Sequence, residues 1–343
     1  MTSTVVNSTL IQTSDVCSYK GLNVTSAGVK MTPEQCRSRR GGYLMRNDLP
    51  VASSSVRTTL SNLNPGWVNI TKNDTGTPFQ YAEEMDLKIK DNSITMLQGL
   101  ITQGQQHTMS HIGLAETSTL LQSLKDEGLI GARSWSLDSG SQSFAAPRNG
   151  SLVLGGYDAS KLDGGWIAFP IPESNLVRKR SCPLQVSITE MSFTVHVGRD
   201  GAKTKTPVKR DNPLVACIEP YDNHFRFPGA YLDEIKELLG NEEYPTAPSE
   251  YTGLYSMEPG LVYDASTNRS VSISLTIASG SSELSVEVPS HELVRPLRGL
   301  KTDGSPAVNS SFTEVQVFAE EGVLEGPVLG KVFLSQVYNR RLN

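Results

Sequence analysis

Few residues of this chain have the types and spacing that metal or acid-base chemistry needs. His107 and His111 have the i,i+4 spacing of two metal ligands on a helix, but the polar, glycine-bounded sequence around them favours a solvated loop. None of the four cysteines lies in a CxxC motif. We therefore expect no metal and no cofactor, which leaves carboxylates as the candidates for chemistry.

Two aspartates stand in triplets of Asp, a hydroxyl residue and Gly. Asp74-Thr75-Gly76 follows the polar pair Lys72-Asn73, and this context predicts the tip of a hairpin. Asp138-Ser139-Gly140 follows the apolar strand end Trp135 to Leu137, which predicts a turn that closes a strand. Both triplets are therefore interpreted as turns.

The elements around these residues are mostly short strands. Asn149 to Pro170 predicts a strand from Ser151 to Leu154, a glycine break, a one-turn helix and a half-buried strand from Trp166 to Pro170. One helix, capped by Thr117 or Ser118, buries Leu120, Leu121 and Leu124 and stops at Gly128. A second spans Pro228 to Gly240 with Tyr231, Ile235 and Leu238 as its apolar face. The fold class is therefore mostly β with a few short helices.

Composition excludes several classes of function. The 343 residues suffice for two domains that each bury a core. A net charge of -5 without a clustered basic face argues against a nucleic-acid partner. No run reaches the ~18 apolar residues of a membrane span, so we expect none in this chain.

The chain resembles the pepsin-like aspartic proteases, and within them a divergent fungal group. The similarity covers residues 110 to 335 well and residues 1 to 109 weakly. It rests on blocks that are similar to those of the family: Ile112-Gly113-Leu114-Ala115, Arg133 to Leu137, Asn149 to Pro170, Ala216 to Pro220, Phe227-Pro228 and Leu329 to Leu334.

The resemblance implies a bilobal β-barrel fold, with an N-terminal lobe over residues 1–170 and a C-terminal lobe over residues 171–343. It implies a monomer that could take a peptide or protein ligand in the cleft between the lobes. The cysteines divide into one pair per half, and we expect the disulfides Cys17 with Cys36 and Cys182 with Cys217.

Catalysis in this family needs two carboxylates that share a proton around one water, each on a loop of the form Asp-(Thr or Ser)-Gly. The first loop should fall on Ser3 to Val6, where no Asp stands. In the second, Glu219 takes the Asp position, Pro220 replaces the hydroxyl residue and Tyr221 replaces the glycine. The resemblance would also place Asp74, Thr75 and Gly76 at the flap-like turn.

These departures predict a non-catalytic homologue that acts as a secreted or cell-surface protein. The alternative is an active aspartic endopeptidase, working at acidic pH, whose first catalytic loop is missing from this chain or replaced. A third interpretation is a β-rich fungal wall or lectin-like domain. Trp135 and Trp166 are interpreted as core or rim aromatics and not as sugar platforms.

Secretion is expected from the cysteine pairs and from seven N-glycosylation sequons, at Asn7, Asn23, Asn69, Asn73, Asn149, Asn268 and Asn309. No signal peptide precedes Met1, and the final strand of the resemblance runs out at Asn343. The sequence is therefore expected to be truncated at both ends and to be marginally stable in isolation.

Overall fold

Most of the described strands lie from residue 112 onward. The computed structural model describes residues 2–3, 10–12, 17, 25–26, 29–39, 79–89, 92–101, 112–115, 118–162, 166–169, 182, 184–197, 202–240, 254–256, 260–267, 269–279, 281–319 and 326–341. Within these residues the protein is mostly β, as predicted.

The strands before residue 170 are β1 (Thr2–Ser3), β2 (Leu10–Gln12), β3 (Thr25–Ser26), β4 (Val29–Lys30), β5 (Phe79–Ile89), β6 (Asn92–Ile101), β7 (Ile112–Gly113), β8 (Trp135–Asp138) and β9 (Ser151–Leu154). Those after it are β10 (Gln185–Val197), β11 (Lys203–Val208), β12 (Leu214–Ile218), β13 (Phe225–Phe227), β14 (Tyr255–Ser256), β15 (Leu261–Asp264), β16 (Arg269–Ser279), β17 (Ser282–Val288), β18 (Val294–Leu300), β19 (Pro306–Val315), β20 (Val317–Ala319), β21 (Val328–Leu329) and β22 (Asn339–Arg341). The helices are α1 (Pro33–Arg39), α2 (Thr119–Asp126), α3 (Gly229–Leu238), α4 (Ser290–Leu293) and α5 (Lys331–Leu334).

The two predicted helices form with the predicted ends. Ser118 caps α2 by accepting the backbone N–H of Leu121, and Gly128 follows the helix with a φ of 70°. Gly240, with a φ of 85°, follows α3 in the same way. Helix α3 buries Leu232, Ile235 and Leu238, so Leu232 replaces the predicted Tyr231 in the fully buried set. The one-turn helices α4 and α5 are too short to show a helical period, and they were not predicted.

The largest sheet is built on β10, which pairs with β11, β12 and β16. A register shift between Ile188 and Glu190 inserts one extra residue into β10. Val186 and Ile188 are buried before this bulge, and Met191, Phe193 and Val195 are buried after it. The buried positions are therefore even-numbered before the bulge and odd-numbered after it. Both halves of the strand thus direct apolar side chains into one core.

Two short strand pairs are parallel, and in each the first strand comes about a hundred residues before the second. In one, β21 lies between β12 and β13 and pairs in parallel with β12, with Ile218 opposite Leu329. In the other, β1 pairs in parallel with β7, with Ser3 opposite Gly113. A glycine, Gly330 or Gly113, stands at the end of the second strand of each pair.

The stretch from Asn149 follows its prediction up to the second strand. Strand β9 pairs with β8, Gly155 has a φ of 81° that favours glycine, and a 3-10 turn spans Ala159–Lys161. Residues 166–169 show the predicted alternation, with Trp166 exposed and Ile167 half-buried, but they belong to no described strand. The predicted strand from Trp166 to Pro170 is therefore wrong over residues 166–169, which pair with none of the described strands. Pro170 lies outside the described residues.

One apolar core joins residues from both halves of the sequence. It packs side chains of the large sheet against Leu114, Leu121, Trp135 and Leu137 from the first 170 residues. Trp135 is fully buried, and its indole N–H donates to the Leu114 carbonyl oxygen at 3.0 Å, which confirms its interpretation as a core residue. The division into two lobes stays a prediction.

Both expected disulfides are formed, Cys17 with Cys36 and Cys182 with Cys217. Cys36 lies in α1. Cys217 lies in β12, two residues before Glu219. The second disulfide therefore anchors the strand that leads into the loop described below.

Candidate functional site

The candidate site is the loop 219–224, which joins β12 to β13 and passes the end of β21. A Cβ atom placed on Gly330 would lie 2.3 Å from the carbonyl oxygen of His224, so only glycine allows the loop this close. The backbone N–H of Glu219 donates to the Leu329 carbonyl at 3.2 Å, and that of Lys331 donates to the Asp222 carbonyl at 2.8 Å. The loop is thereby held to β21 at its first residue, and to Lys331 at Asp222.

Glu219 occupies the start of this loop and is buried, with 4% of its surface exposed. Its carboxylate Oε1 accepts the backbone N–H of Tyr221 at 2.9 Å, and its carbonyl oxygen accepts the N–H of Asp222 at 3.1 Å. The carboxylate is therefore engaged by the backbone of its own loop. The role that the sequence assigned to Glu219 stays a prediction.

The second carboxylate of the loop, that of Asp222, forms an ion pair with Arg226. Oδ2 of Asp222 accepts a short hydrogen bond from Nε of Arg226, and Oδ1 accepts the backbone N–H of His224 at 3.1 Å. The Arg226 side chain is 8% exposed, and its guanidinium lies 5.1 Å from the ring centroid of Phe318. Asp222 is thus neutralised by a buried cation.

A third carboxylate, that of Glu314 on β19, lies behind the loop and is 1% exposed. It accepts hydrogen bonds from Nε2 of His224 at 3.2 Å, from the Arg295 guanidinium at 3.0 and 3.2 Å, and from the backbone N–H of Gly260 at 3.3 Å. Burial alone would raise the pKa of Glu314. The Arg295 charge and the His224 hydrogen bond outweigh burial, and they lower the pKa to about 2.

The charge of Glu314 decides the tautomer of His224. An ionised carboxylate only accepts hydrogen bonds, so Nε2 of His224 carries a hydrogen. Nδ1 of His224 lies 3.9 Å from Oδ1 of Asp222, which is beyond hydrogen-bonding distance. Because Nε2 is committed to Glu314, His224 holds the loop in place and does not offer that nitrogen as a base.

The Asp138 triplet closes β8, as predicted, and forms a second carboxylate loop. Oδ1 of Asp138 accepts the N–H of Gly140 at 2.9 Å, while Oδ2 contacts Nη1 of Arg148 at 2.5 Å and Nζ of Lys161 at 3.0 Å. Burial would raise the pKa of Asp138, but these donors together lower it. Asp138 is an ion-paired structural residue whose proton is lost at ordinary pH.

The two loops are joined through the residues between and behind them. Ser139 donates from Oγ to the Lys331 carbonyl at 3.3 Å, and the N–H of Lys331 donates to Asp222. Nη1 of Arg295 also donates to Oε1 of Gln142 at 2.8 Å. Lys331 thus contacts both loops, whereas Arg295 contacts Gln142 directly and reaches His224 only through Glu314. Burial lowers the pKa of the Lys331 ammonium group.

The first predicted catalytic loop begins where β1 ends. Continuing the parallel register by one residue from Ile218 places Glu219 opposite Gly330, and the register of β1 places Ser3 opposite Gly113. Ser3 therefore corresponds to Glu219 in the two strand pairs, and it brings no carboxylate. Thr4 to Val6 lie outside the described residues.

The flap-like turn of Asp74, Thr75 and Gly76 also lies outside the described residues. The strands that follow it in the chain, β5 and β6, form an antiparallel hairpin in which Ile89 pairs with Asn92.

The sequence did not predict the buried ionic residues His224, Arg226, Arg295 and Glu314. Arg295 and Glu314 are direct cross-strand partners in the β18–β19 hairpin, and opposite charges within two apolar strands were the available signal. His224 and Glu314 are 90 residues apart, and no local pattern connects them.

No family model matches the chain, and no curated protein matches it. In the described part of the chain, no helix is long and apolar enough to cross a membrane. Over the same residues, no three His, Cys, Asp or Glu side chains are grouped closely enough to hold a metal ion.

Proposed function

We propose that this chain is a non-catalytic homologue of the pepsin-like aspartic peptidases, which acts by binding a peptide or protein ligand. The observation that carries this proposal is the state of the loop 219–224, in which Glu219, Asp222 and the adjoining Glu314 are all engaged by protein donors. The corresponding position in the other strand pair is Ser3.

The paired arrangement of the strands supports the kinship. β1 with β7 and β12 with β21 are both short parallel pairs, and each has a glycine where the second strand ends. Gly330 lies in contact with the loop that follows β12, which is where the resemblance puts the second catalytic loop. The pepsin-like bilobal fold is thus the proposed fold.

Loss of catalysis follows from the chemistry of an aspartic dyad. Two carboxylates must share one proton and orient one water, and each needs a glycine loop that lets the chain pass close to it. Pro220 has no backbone N–H, Tyr221 carries a large side chain at the glycine position, and Ser3 has no carboxylate. A matched pair of acids is therefore not available from these positions.

The proposal places the protein outside the cell or on its surface. Two disulfides are formed, and such bonds persist in oxidising compartments. The seven sequons are typical of a chain that passes through the secretory pathway. The ligand would occupy a cleft between the two proposed lobes.

A peptide-cleavage assay tests the loss of catalysis. The full chain is incubated with a denatured protein substrate at acidic pH, with and without a statine-type transition-state mimic. We expect no inhibitor-sensitive cleavage and no difference between the wild type and Glu219→Ala. Glu283→Ala is the matched control, because it replaces an exposed glutamate outside the loop by alanine.

An active aspartic endopeptidase is the second candidate. It is favoured by the burial of the Glu219 carboxylate at the start of a loop that passes close to Gly330. In that case Glu219 would share a proton with an acid outside the described residues. Inhibitor-sensitive cleavage that is abolished in Glu219→Ala and retained in Glu283→Ala would establish it and overturn the non-catalytic proposal.

A further inference from the structure

Asn149 stands at the base of an exposed loop. The backbone N–H of Ser141 donates to the Arg148 carbonyl at 2.8 Å and that of Arg148 donates to the Ser141 carbonyl at 3.1 Å, which closes the loop 142–147. Residues 144–150 are all exposed, with Phe144 at 64%. A large group attached to Asn149 would therefore extend from the surface into solvent.

The Asn149 side chain has no structural task in the described part of the chain, where its amide makes no hydrogen bond. Its neighbour Gly150 is held closely, because a Cβ atom there would lie 2.5 Å from the Asp138 carbonyl oxygen. The backbone on the C-terminal side of Asn149 is thus fixed while its amide group is available. A modification of this amide would displace no contact of the fold.

Ser151 supplies a second, independent observation. Its hydroxyl oxygen is buried and has no hydrogen-bond partner. An unpaired buried hydroxyl is destabilising, so the fold alone would favour alanine at this position. The third position of Asn-x-Ser/Thr is where the glycosylation sequon requires a hydroxyl, and Asn149-Gly150-Ser151 is such a sequon.

We infer that Asn149 carries an N-linked glycan, an inference that rests on the secretory location included in the proposed function. The donor class is an oligosaccharide linked to a lipid pyrophosphate. The amide nitrogen of Asn149 forms a bond to C1 of the first sugar as the bond from C1 to the pyrophosphate oxygen breaks. The amide loses one proton to a base of the transferase, and the lipid pyrophosphate leaves.

Asn309 provides the comparison within the same chain. It is half-buried within β19, opposite Leu297, and its Oδ1 accepts the N–H of Ser311 at 3.1 Å. Its sequon is thus part of a paired strand, whereas that of Asn149 begins outside the sheet. Asn309→Gln is therefore the matched control for Asn149→Gln.

The test is expression of the full chain, fused to a secretion signal, in a eukaryotic host. The secreted protein is treated with an N-glycan amidase in heavy-oxygen water, which converts a glycosylated asparagine to labelled aspartate that peptide mass spectrometry detects. We expect the label at position 149 after amidase treatment and not in a sample held in the same water without the enzyme, because an unmodified Asn-Gly also deamidates and takes up the label. One glycan mass should be lost from both Asn149→Gln and Ser151→Ala. Asn309→Gln should keep the label at position 149.

Ser151→Ala makes the result independent of folding failure, because it removes an unpaired hydroxyl and should be secreted as well as the wild type. An unmodified Asn149 in the secreted wild-type protein would overturn the inference. Retention of the Asn149 glycan in Ser151→Ala would overturn the role assigned to the Ser151 hydroxyl. Protease activity of the secreted protein would contradict the non-catalytic proposal alone, since it has no bearing on occupancy of Asn149.

Discussion

The loops that begin at Asp138 and Glu219 make the same local hydrogen bond and differ in the burial of the charged residues around it. Each carboxylate accepts the backbone N–H of the residue two positions later at 2.9 Å. Asp138 is then paired with Arg148 and Lys161, whose side chains are 47% and 36% exposed. The Glu219 loop instead adjoins the buried charges of Asp222 and Glu314.

The difference shows that an Asp-(Thr or Ser)-Gly motif alone does not identify a catalytic loop. Asp138-Ser139-Gly140 has the residue types of the family motif, but it ends a strand at an ion-paired surface. The loop from Glu219 lacks those residue types, yet it lies beside an inserted strand and its glycine. Under the proposed kinship, position relative to the strands, and not the triplet, identifies the loop that would correspond to a catalytic one.

The largest expected effect is on the deeper loop, through Glu314→Gln. This change leaves the buried Arg295 without its charged partner and weakens the hydrogen bond from His224. Removing one member of a buried ion pair costs about 3–5 kcal/mol, so the free energy of unfolding should fall by that amount. Urea denaturation followed by circular dichroism measures it.

The control for Glu314→Gln is Glu283→Gln, which breaks the exposed pair with Arg210. An exposed pair contributes about 0–1 kcal/mol, so this variant should unfold close to the wild type. Equal losses of stability in the two variants would show that burial of the Glu314 network is not what holds the loop.

The same carboxylate predicts how stability depends on pH. The pKa of Glu314 is about 2 in the folded protein against an ordinary value of 4.5, so its contribution is complete above the ordinary pKa. As the pH falls, the unfolded chain binds the proton first, and the contribution is lost by the time the pH reaches about 2. The loss is on the order of 3 kcal/mol.

Urea midpoints measured across this acidic range, for the wild type and for Glu314→Gln, isolate the effect. Glutamine does not titrate, so the variant should show a flatter dependence of unfolding free energy on pH. Parallel curves for the two proteins would mean that other carboxylates cause the acid sensitivity.

A smaller effect is expected from Gly330→Ala, which places a methyl group against the carbonyl oxygens of His224 and Asp222. Overpacking of this kind costs about 1–3 kcal/mol. The thermal unfolding midpoint should fall, whereas Gly229→Ala, which has open space around its Cβ position, should leave it unchanged or raise it. A Gly330→Ala protein as stable as Gly229→Ala would place the loop farther from β21.

The smallest effect is expected on the shallower loop, through Asp138→Asn. Asparagine can still accept the N–H of Gly140, but it removes the charge that faces Arg148 and Lys161. Because both cations are partly exposed, the loss should be below about 1 kcal/mol. A loss as large as that of Glu314→Gln, measured by the same urea titration, would remove the distinction between the two loops.

Sequence patterns correctly predicted the helix ends. The cap at Ser118 and the positive φ of Gly128 and Gly240 each depend on a few adjacent residues. The sequence placed Glu219 in the loop that follows β12, but it could not predict the ion pairs around that loop. His224 and Glu314 meet only because β13, β18 and β19 converge in the fold.

The sequence by itself determined the mostly-β class, the two longer predicted helices and the two cysteine pairs, because period, caps and residue type encode these directly. It also shows that Ser3 has no carboxylate and that proline and tyrosine follow Glu219. Only the tertiary structure decided that the Asp138 triplet is an ion pair and that Glu314 neutralises Arg295 behind the Glu219 loop. Such contacts depend on which strands become neighbours, and strand order is set by the packing of the whole core.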